Sequence, residues 1–320
     1  MEKKGKILLI DSVSQDMHNA LEMIGFECIE KKIDYMQLIS EAALYSGYIV
    51  RNRLPIDKKL LSASTQLKFV ARIGAGMEKI DTQYATQLGI ACIHTAEGNA
   101  DAVAEHVIAS LLMLMRNLKK ADTEVRLGEW LRESNKGFEI TGKTVGIIGY
   151  GNMGKKLAQK LSAFGCEIVA YDRYKPHFGD IYAQESDLKT LQQKADIVSV
   201  HINYLPDNHY FINKNLLSGF AKNIYLVNTS RGQVLSVKDV IDCISSGKVK
   251  GAVLDVLEYE DEHLQNLPKE KWDENMQNLA KSDKIILTPH IAGQTFESFE
   301  KHTKILIEKL LQLPFMQTKN

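Results

Sequence analysis

Short runs of apolar residues recur along the chain and alternate with segments whose apolar residues follow a helical spacing. The runs are rich in Val, Ile and Leu, which is typical of parallel strands buried on both faces of a sheet. They fall at Ile7–Ile10, Tyr48–Val50, Phe69–Ile73, Thr144–Ile148, Glu167–Tyr171, Ile197–His201, Ile224–Asn228, Gly251–Val256 and Lys284–Leu287. Helical segments between them include Asp16–Ile24, Lys155–Phe164 and Val237–Ser245. The pattern predicts an α/β fold of the doubly wound class.

The longest helical pattern covers Asn99–Arg126 and is followed by a segment without a clear period. Apolar residues recur along this helix at a spacing suited to burial, as at Ala104, Ile108, Leu111, Leu112 and Met115. Because 320 residues are enough for roughly two domains, we expect the helix to lead from one α/β unit to the next. We interpret Leu127–Gly142, which contains Trp130 and Phe138, as an arm that packs on a partner subunit.

Charge and cysteine content argue against several classes of partner and site. The 40 Lys and Arg residues are balanced by 40 Asp and Glu residues, so the chain has no net attraction to nucleic acid or to an anionic membrane. Its four cysteines lie far apart without a CxxC pair, which predicts neither disulfides nor a metal site and suits the reducing cytoplasm. The longest apolar stretch, Val107–Met115, is about half a membrane span. We expect a soluble cytoplasmic protein.

A glycine motif stands between the apolar run Thr144–Ile148 and the helical segment Lys155–Phe164. It reads Gly149-Tyr150-Gly151-Asn152-Met153-Gly154. In a strand–turn–helix context, Gly149 would form the tight turn, Gly151 would let a pyrophosphate approach the backbone, and Gly154 would allow close packing of helix on strand. The phosphate charge would face the amino end of the helix. The motif predicts a dinucleotide-binding site.

An acidic residue ends the next apolar run, where the ribose of a dinucleotide is bound in such folds. Asp172 directly follows Glu167–Tyr171. A carboxylate there accepts hydrogen bonds from the adenosine ribose and repels a 2′-phosphate, so we expect NAD rather than NADP. Arg173 and Lys175 follow at once and would weaken that preference.

Three later strand runs end in polar residues suited to acid–base chemistry. One run ends in an arginine, the next in carboxylates and the last in a histidine: Arg231, Asp255 with Glu260, and His290. All three runs end at the carboxyl edge of the predicted parallel sheet, which is the edge where ligands bind. An arginine, a carboxylate and a histidine together suit binding of an anion and general acid–base catalysis.

Together with the glycine motif, these strand ends resemble the D-isomer-specific 2-hydroxyacid dehydrogenase family. The resemblance also includes Arg72–Gly76 and Glu97–His106, and it spans the chain from Tyr48 to Gly293. It implies two doubly wound parallel-sheet domains, with a Rossmann NAD-binding domain at 99–291 inserted into a flavodoxin-like substrate domain formed by 1–98 and 292–320. It also implies an NAD-dependent oxidoreductase that acts on the CH–OH group of a D-2-hydroxyacid.

The resemblance gives catalytic roles to three residues. His290 would be the general acid that protonates the substrate carbonyl during reduction, and the base in the reverse direction. Glu260 would pair with His290, orient it and stabilise its protonated form. Arg231 would bind the substrate carboxylate and polarise the carbonyl, for which a planar guanidinium group is suited.

The resemblance also implies which residues contact the cofactor and the rest of the substrate. The amides of residues 74–76 would cradle the substrate carboxylate, and Asp255 would lie near the nicotinamide carboxamide. Asn99 and Val103 would lie near the hinge and the cofactor. The residues expected to bind NAD are Gly149, Tyr150, Gly151, Asn152, Met153, Gly154, Asp172, Thr229, Ser230, Asp255 and Val103. Those expected to bind substrate are Arg51, Arg72, Gly74, Ala75, Gly76 and Asn99.

The chain departs from the family pattern directly after Glu260. Family members commonly have proline at the next position, whereas Asp261 stands here. The stretch from Asp261 to Asp283 is also longer and more charged than the resemblance leads us to expect, and we interpret it as a surface elaboration beside the site. The acidic run leaves Glu258 as an alternative partner for His290.

Arginines at two strand ends are similar to those of the phosphoglycerate dehydrogenase branch of the family. Arg51 and Arg72 match positions where that branch neutralises the substrate phosphate, with Arg53 as a weaker candidate. A dianionic phosphate needs more than one cationic partner, although exposed loop charges would give the same pattern. The branch implies oxidation of 3-phosphoglycerate to 3-phosphohydroxypyruvate, the entry to serine biosynthesis, by a short form without the C-terminal regulatory domain.

Two alternatives to phosphoglycerate dehydrogenase stay open. One is a reductase of glyoxylate, hydroxypyruvate or another small 2-oxoacid. The other is a binding module that senses NAD without catalysis, which turnover of any oxoacid would exclude. Formate dehydrogenase is disfavoured, because it has an amide at the position of Glu260. The resemblance also implies a homodimer, formed through the Asn99–Arg126 helix and the arm after it.

Overall fold

Strands and helices alternate along most of the chain. The computed structural model describes residues 4–260 and 267–317. The strands are β1 (Gly5–Leu9), β2 (Phe26–Glu30), β3 (Gly47–Val50), β4 (Phe69–Arg72), β5 (Ala91–His94), β6 (Thr144–Ile148), β7 (Glu167–Tyr171), β8 (Gln184–Glu185), β9 (Ile197–Val200), β10 (Ile224–Asn228), β11 (Val249–Leu254) and β12 (Ile285–Leu287). The helices are α1 (Gln15–Met23), α2 (Tyr35–Glu41), α3 (Lys58–Ala63), α4 (Thr82–Gln87), α5 (Ala100–Met115), α6 (Leu118–Arg126), α7 (Asn152–Leu161), α8 (Leu188–Lys194), α9 (Lys214–Ser218), α10 (Val237–Ser245), α11 (Glu274–Lys281), α12 (Phe296–Leu311) and α13 (Pro314–Gln317). Short 3-10 helices lie at Ala42–Leu44, Ala96–Asn99, Ser162–Phe164, Pro206–Asn208, Gly232–Val234 and Lys269–Lys271.

The chain divides into two compact units. One comprises the described residues up to Asn99 and those from Gln294 onward, and the other comprises Ala100–Gly293. The sequence prediction places these boundaries at 98/99 and 291/292, and the assignment of substrate and cofactor to the two units stays a prediction. Within the described part of the chain, no helix is both long enough and apolar enough to cross a membrane.

The first unit contains a parallel sheet with the strand order β2-β1-β3-β4-β5. Successive residues of β1 point to opposite faces, so Leu8 packs in one buried cluster while Ile7 and Leu9 pack in another. Burial on both faces explains why the strand is a continuous apolar run. This strand order is that of the flavodoxin-like doubly wound folds.

The second unit contains a larger parallel sheet with the strand order β12-β11-β10-β9-β6-β7-β8. Leu226 and Val227 of its central strand β10 belong to two different buried clusters, one on each face. The strand order reverses between β6 and β9, as in dinucleotide-binding folds, where the ligand lies at the carboxyl ends beside this reversal. The predicted doubly wound α/β fold class is confirmed.

Most helices begin after a side chain that caps their first turn. The oxygens of these capping residues accept backbone N–H groups of the helices that follow: Ser14, Asp34, Asp57, Asp81, Asp187, Asn213, Ser236, Asp273 and Thr295. Helix α7 differs, because glycine stands at its cap and no side chain among the described residues caps it. Its first amides are therefore left for another acceptor.

The single long helix predicted over Asn99–Arg126 is wrong. Helix α5 ends at Met115 and α6 begins at Leu118, because Asn117 adopts the left-handed conformation with φ 54°. Asparagine enters this conformation more readily than most residues. Residues 127–142, all of them described, form neither helix nor strand, as the interpretation as an arm expects.

Candidate active site

The glycine motif forms the turn from β6 into α7. Gly149 has a positive φ of 95°, and a Cβ atom there would lie 2.4 Å from the carbonyl oxygen of His201. At Gly154, a Cβ atom would lie 2.2 Å from the carbonyl oxygen of Gly149. Both positions are therefore restricted to glycine by the chain itself, before any ligand is considered.

Gly151 is different, because the space around it is open. A Cβ atom there would have only Lys175 Nζ as a neighbour, at 4.0 Å. Gly151 is also the cap residue of α7, so the first amides of the helix, including those of Asn152 and Met153, have no side-chain acceptor among the described residues. An open cradle at an uncapped helix start fits the pyrophosphate of a dinucleotide.

Asp172 holds the second part of the predicted cofactor site. Its two carboxylate oxygens accept the amides of Tyr150 at 2.9 Å and of Tyr174 at 3.0 Å, and the amide of Lys175 lies 3.2 Å away. The Tyr150 hydroxyl donates to Asp180 at 2.9 Å. Burial, together with Asp180, raises the pKa of Tyr150, so this hydroxyl stays a donor. The chain itself thus fixes the Asp172 carboxylate beside the glycine turn.

Arg231 lies in a loop that a buried asparagine shapes. The Asn228 side chain, at the end of β10, is fully buried; its oxygen accepts the Ser230 amide at 3.1 Å and its nitrogen donates to the Arg231 carbonyl at 3.1 Å. Arg231 Nη1 in turn donates to the Ser230 carbonyl at 2.7 Å. The Thr229 hydroxyl is buried without a partner in the described part of the chain. An unpaired buried hydroxyl beside the predicted cofactor site also fits a ligand that would bond to it.

His290 and Glu260, the predicted acid–base residues, are in contact. Glu260 Oε2 lies 2.9 Å from His290 Nδ1, and the two side chains are 19% and 28% exposed. The other carboxylate oxygen of Glu260 accepts the Leu257 amide at 2.7 Å, which fixes the orientation of the group. With Nδ1 held by the carboxylate, Nε2 is the ring atom left for a substrate.

Glu258, the alternative partner, is engaged elsewhere. One of its oxygens accepts the Val237 amide at the start of α10, at 2.9 Å, and the other accepts the Tyr210 hydroxyl. Of the charged stretch 261–283, residues 261–266 lie outside the described residues. The rest includes α11, whose Met276 and Leu279 are buried, so this part belongs to the core as well as to the surface.

Two predicted cofactor residues are enclosed by the chain. Asp255 is 1% exposed. Its oxygens accept the amides of Ile291 and Ala292, each at 2.9 Å. Val103 is 5% exposed and packs in an apolar cluster of the second unit. Contact of either residue with NAD stays a prediction.

The predicted phosphate site lies at the carboxyl ends of β3 and β4 in the first unit. The Arg51 guanidinium group lies 5.1 Å from the centre of the Phe299 ring. Arg72 donates to Asn52 Oδ1 at 2.8 Å and to the Ile73 carbonyl. The weaker candidate, Arg53, is used by the fold: its guanidinium donates to the carbonyl oxygens of Ile10 and Ile33.

The predicted carboxylate cradle at residues 74–76 is partly occupied. The Gly74 amide donates to Thr95 Oγ1 at 3.0 Å, and binding of substrate at Gly74 stays a prediction. The amides of Ala75 and Gly76 have no acceptor within the described residues. Asn99, the last residue of a 3-10 helix, has a buried Oδ1 without a partner there.

Sequence reasoning missed two polar residues that contact each other close to Asp255. His106 of α5 contacts Thr288, which ends the strand run before His290, at 3.1 Å between Nε2 and Oγ1. Both stand in segments that carried the family resemblance, but neither was given a role. A threonine two positions before the predicted acid–base histidine was the available signal.

Comparison with known proteins supports the same chemistry. The family model for the D-isomer specific 2-hydroxyacid dehydrogenase NAD binding domain matches residues 108–292. The chain belongs to this family. As a member of the D-2-hydroxyacid dehydrogenases, it is an NAD-dependent oxidoreductase that acts on the CH–OH group of a D-2-hydroxyacid, and the predicted family and cofactor are confirmed.

Individual members of the D-2-hydroxyacid dehydrogenase family match nearly the whole chain. A hydroxypyruvate reductase of Thermotoga maritima is 32% identical, with 88% of each chain covered. A D-3-phosphoglycerate dehydrogenase of Archaeoglobus fulgidus is 30% identical over 96% of this chain. This chain spans 57% of that relative's length and 49% of the length of mycobacterial D-3-phosphoglycerate dehydrogenases. The D-lactate dehydrogenase of Aquifex aeolicus, solved with NAD and lactic acid, is 25% identical with a TM-score of 0.78, covering 96% of this chain and 94% of its own.

Proposed function

We propose that this enzyme oxidises D-3-phosphoglycerate to 3-phosphohydroxypyruvate with NAD, at the entry to serine biosynthesis. The supporting observation is a pair of cationic groups at neighbouring strand ends. Burial lowers the pKa of His302 in α12, and the positive charges of Arg51 and Arg72 lower it further. Two guanidinium groups that act on the same imidazole suit a dianionic phosphate better than an uncharged substrate end.

The proposed chemistry assigns the proton to His290. Bound NAD supplies the hydride acceptor, and Gly151, Asp172 and the start of α7 would hold it. His290 Nε2 takes the proton of the substrate hydroxyl while the hydrogen on C2 leaves with the electron pair of its C–H bond. In the direction of reduction, the same nitrogen returns a proton to the carbonyl oxygen. The Glu260 carboxylate accepts a hydrogen bond from His290 Nδ1–H, which favours the protonated ring formed in this step. Arg231 pairs with the substrate carboxylate.

A second candidate is reduction of hydroxypyruvate, which has no phosphate. It is favoured by the contacts of Arg72, whose guanidinium group already donates to Asn52 and to the Ile73 carbonyl. If these bonds persist with substrate bound, Arg51 alone would face the substrate end. The likeness to the Thermotoga maritima hydroxypyruvate reductase agrees with this reading.

Steady-state NADH absorbance separates the two candidates. Wild-type enzyme and Arg51→Ala are assayed with 3-phosphoglycerate plus NAD, and with hydroxypyruvate or glyoxylate plus NADH. Loss of a hydrogen-bonded charge pair, worth about 1.5–3 kcal/mol, raises KM for phosphoglycerate about tenfold to hundredfold in the variant. Lys59→Ala, at an exposed cationic residue of α3 in the same unit as Arg51, is the matched control and keeps the wild-type KM. Activity on the unphosphorylated oxoacids only, insensitive to Arg51, would replace phosphoglycerate dehydrogenase with the second candidate.

We also propose that the enzyme is a cytoplasmic homodimer. The segment from α6 through the arm exposes large apolar side chains, including Leu127 at 75% and Trp130 at 77%. Such a concentration is typical of surfaces that bind protein. All four cysteines are free thiols, which suits a reducing compartment. Sedimentation of wild type and Trp130→Glu tests the dimer: the variant is expected to sediment as a monomer, and a wild-type monomer would contradict the proposal.

A further inference from the structure

The turn that carries His290 has a strained backbone. His290 has a φ of 56°, in the left-handed region that is uncommon for residues other than glycine. Such a conformation persists only where the surroundings hold it. Three hydrogen bonds to one residue do so here: the His290 amide donates to the Asp255 carbonyl at 2.8 Å, and the amides of Ile291 and Ala292 donate to the Asp255 carboxylate.

Asp255 is in turn held by a chain of two side chains. Thr288 Oγ1 lies 2.6 Å from Asp255 Oδ1. A carboxylate can only accept hydrogen bonds, so the threonine hydroxyl donates its one proton to Asp255. Thr288 Oγ1 is therefore the acceptor for His106 Nε2, 3.1 Å away. His106 Nε2 also lies 3.8 Å from the same carboxylate oxygen, so this ring nitrogen carries a proton that points toward the buried aspartate.

We propose that His106 and Thr288 are positioning residues for the acid–base His290, acting through Asp255. The inference rests on the proposed role of His290. Asp255 is 1% exposed, so its carboxylate depends on hydrogen-bond donors of the protein in place of water. Without the Thr288 hydroxyl, it turns toward other donors and releases the Ile291 and Ala292 amides, and His290 leaves its left-handed position.

This support of the His290 backbone is separate from the contact between the His290 ring and Glu260. Glu260 approaches the ring from the segment after β11 and is itself oriented by the Leu257 amide. Neither His106 nor Thr288 contacts Glu260 among the described contacts. Loss of the chain through Asp255 should therefore misplace the backbone that carries the ring and leave the Glu260 side chain in place. A misplacement of about 1 Å from a reacting atom is enough to reduce turnover about a hundredfold.

The experiment compares paired variants at both positions. Thr288→Val removes the hydroxyl at similar volume and Thr288→Ser keeps it; His106→Phe removes the N–H donor and His106→Gln keeps one. Turnover is normalised to NADH-binding sites counted by fluorescence titration, which removes any loss of folded protein. Thr190→Val, at an exposed threonine of α8 in the same unit, is the matched control.

We expect Thr288→Val and His106→Phe to lower kcat per binding site by roughly tenfold to hundredfold. The midpoint of the pH profile should stay at its wild-type value. Thr288→Ser, His106→Gln and Thr190→Val should stay within about threefold of wild type in kcat, well short of the loss expected from misplacement.

Two outcomes would overturn the proposal. A wild-type kcat per binding site in Thr288→Val and His106→Phe, with only a lower melting temperature, would show that the chain is purely structural. A shifted pH midpoint would show that it acts on the charge of His290 instead of its position. His290→Gln is assayed in parallel: if that variant keeps its activity, the proposed role of His290 fails, whereas full loss there beside unaffected Thr288→Val rejects the positioning role alone.

Discussion

Two glycines of one motif should fail in different ways when each is replaced by alanine. At Gly154 the new Cβ would lie 2.2 Å from a backbone oxygen and 3.0 Å from Ile147 Cγ2. Neither neighbour is the free end of a flexible side chain, so the helix must shift away from the strand. Overpacking of this kind costs about 1–3 kcal/mol, which lowers the melting temperature of a unit this size by several degrees, at roughly 2–4 °C per kcal/mol.

At Gly151 the same substitution should leave stability unchanged and weaken cofactor binding. The residue has φ −88° and ψ −155°, a near-extended conformation that alanine adopts, and its Cβ would meet only Lys175 Nζ at 4.0 Å. The methyl group instead occupies the place where a pyrophosphate would approach the α7 amides. Loss of one hydrogen bond to a charged group, about 1.5–3 kcal/mol, raises the NADH dissociation constant about tenfold to hundredfold.

The assay is fluorescence titration of NADH, with thermal unfolding of the unliganded proteins as the stability measure. Gly151→Ala should bind weakly at a wild-type melting temperature, and Gly154→Ala should have a lowered melting temperature without cofactor. Wild-type NADH affinity in Gly151→Ala would refute the assignment of this turn to the pyrophosphate. Unchanged stability in Gly154→Ala would refute the close packing of α7 on β6.

Further predictions concern stability and the acid–base pair. Burial lowers the pKa of His201 from 6.5 to about 4, so the stability it contributes is present above pH 6.5 and lost as the pH falls toward 4. Urea unfolding at pH 7 and pH 5 should show about 2 kcal/mol more loss in wild type than in His201→Gln; equal losses would contradict this. Arg53→Ala leaves the carbonyl oxygens of Ile10 and Ile33 without their donor and should lower the free energy of unfolding by about 2–4 kcal/mol. Arg51→Ala should change it by less than about 1 kcal/mol, and equal effects in urea titration would reject the distinction. Glu260→Gln should lower kcat roughly tenfold to hundredfold, because the ring loses the carboxylate that holds Nδ1, and a wild-type kcat would show that Glu260 does not hold His290 in place for the reaction.

The strands that could be predicted are those buried on both faces. Thr144–Ile148 and Ile224–Asn228 have the same bounds in the structure as in the prediction, because a strand in the middle of a doubly covered sheet must be apolar throughout. Strand β2 was missed, since it lies at an edge and includes Glu27 and Glu30. Strand β8, with two exposed residues, has no apolar signal at all.

The individual candidate residues of the site could be proposed from the sequence, but the hydrogen bonds that orient them could not. The glycine motif, Arg231 and His290 each follow the end of a predicted strand. Because parallel strands bring their carboxyl ends to one edge of a sheet, this position marked all three as candidates. The pairing of His290 with Glu260 instead of Glu258 depends on loop geometry that an acidic run does not encode. The contact of His106 with Thr288 joins residues 182 positions apart and follows from packing of α5 alone.

The proposal on which the mechanism depends is that His290, held by Glu260, moves the proton in this NAD-dependent D-2-hydroxyacid oxidoreductase. Its most direct test is steady-state turnover of the substrate that the wild-type enzyme uses best, compared with His290→Gln. We expect kcat to fall by about a hundredfold to ten-thousandfold with an unchanged NADH dissociation constant. A His290→Gln enzyme that binds NADH normally and turns over at the wild-type rate would contradict it.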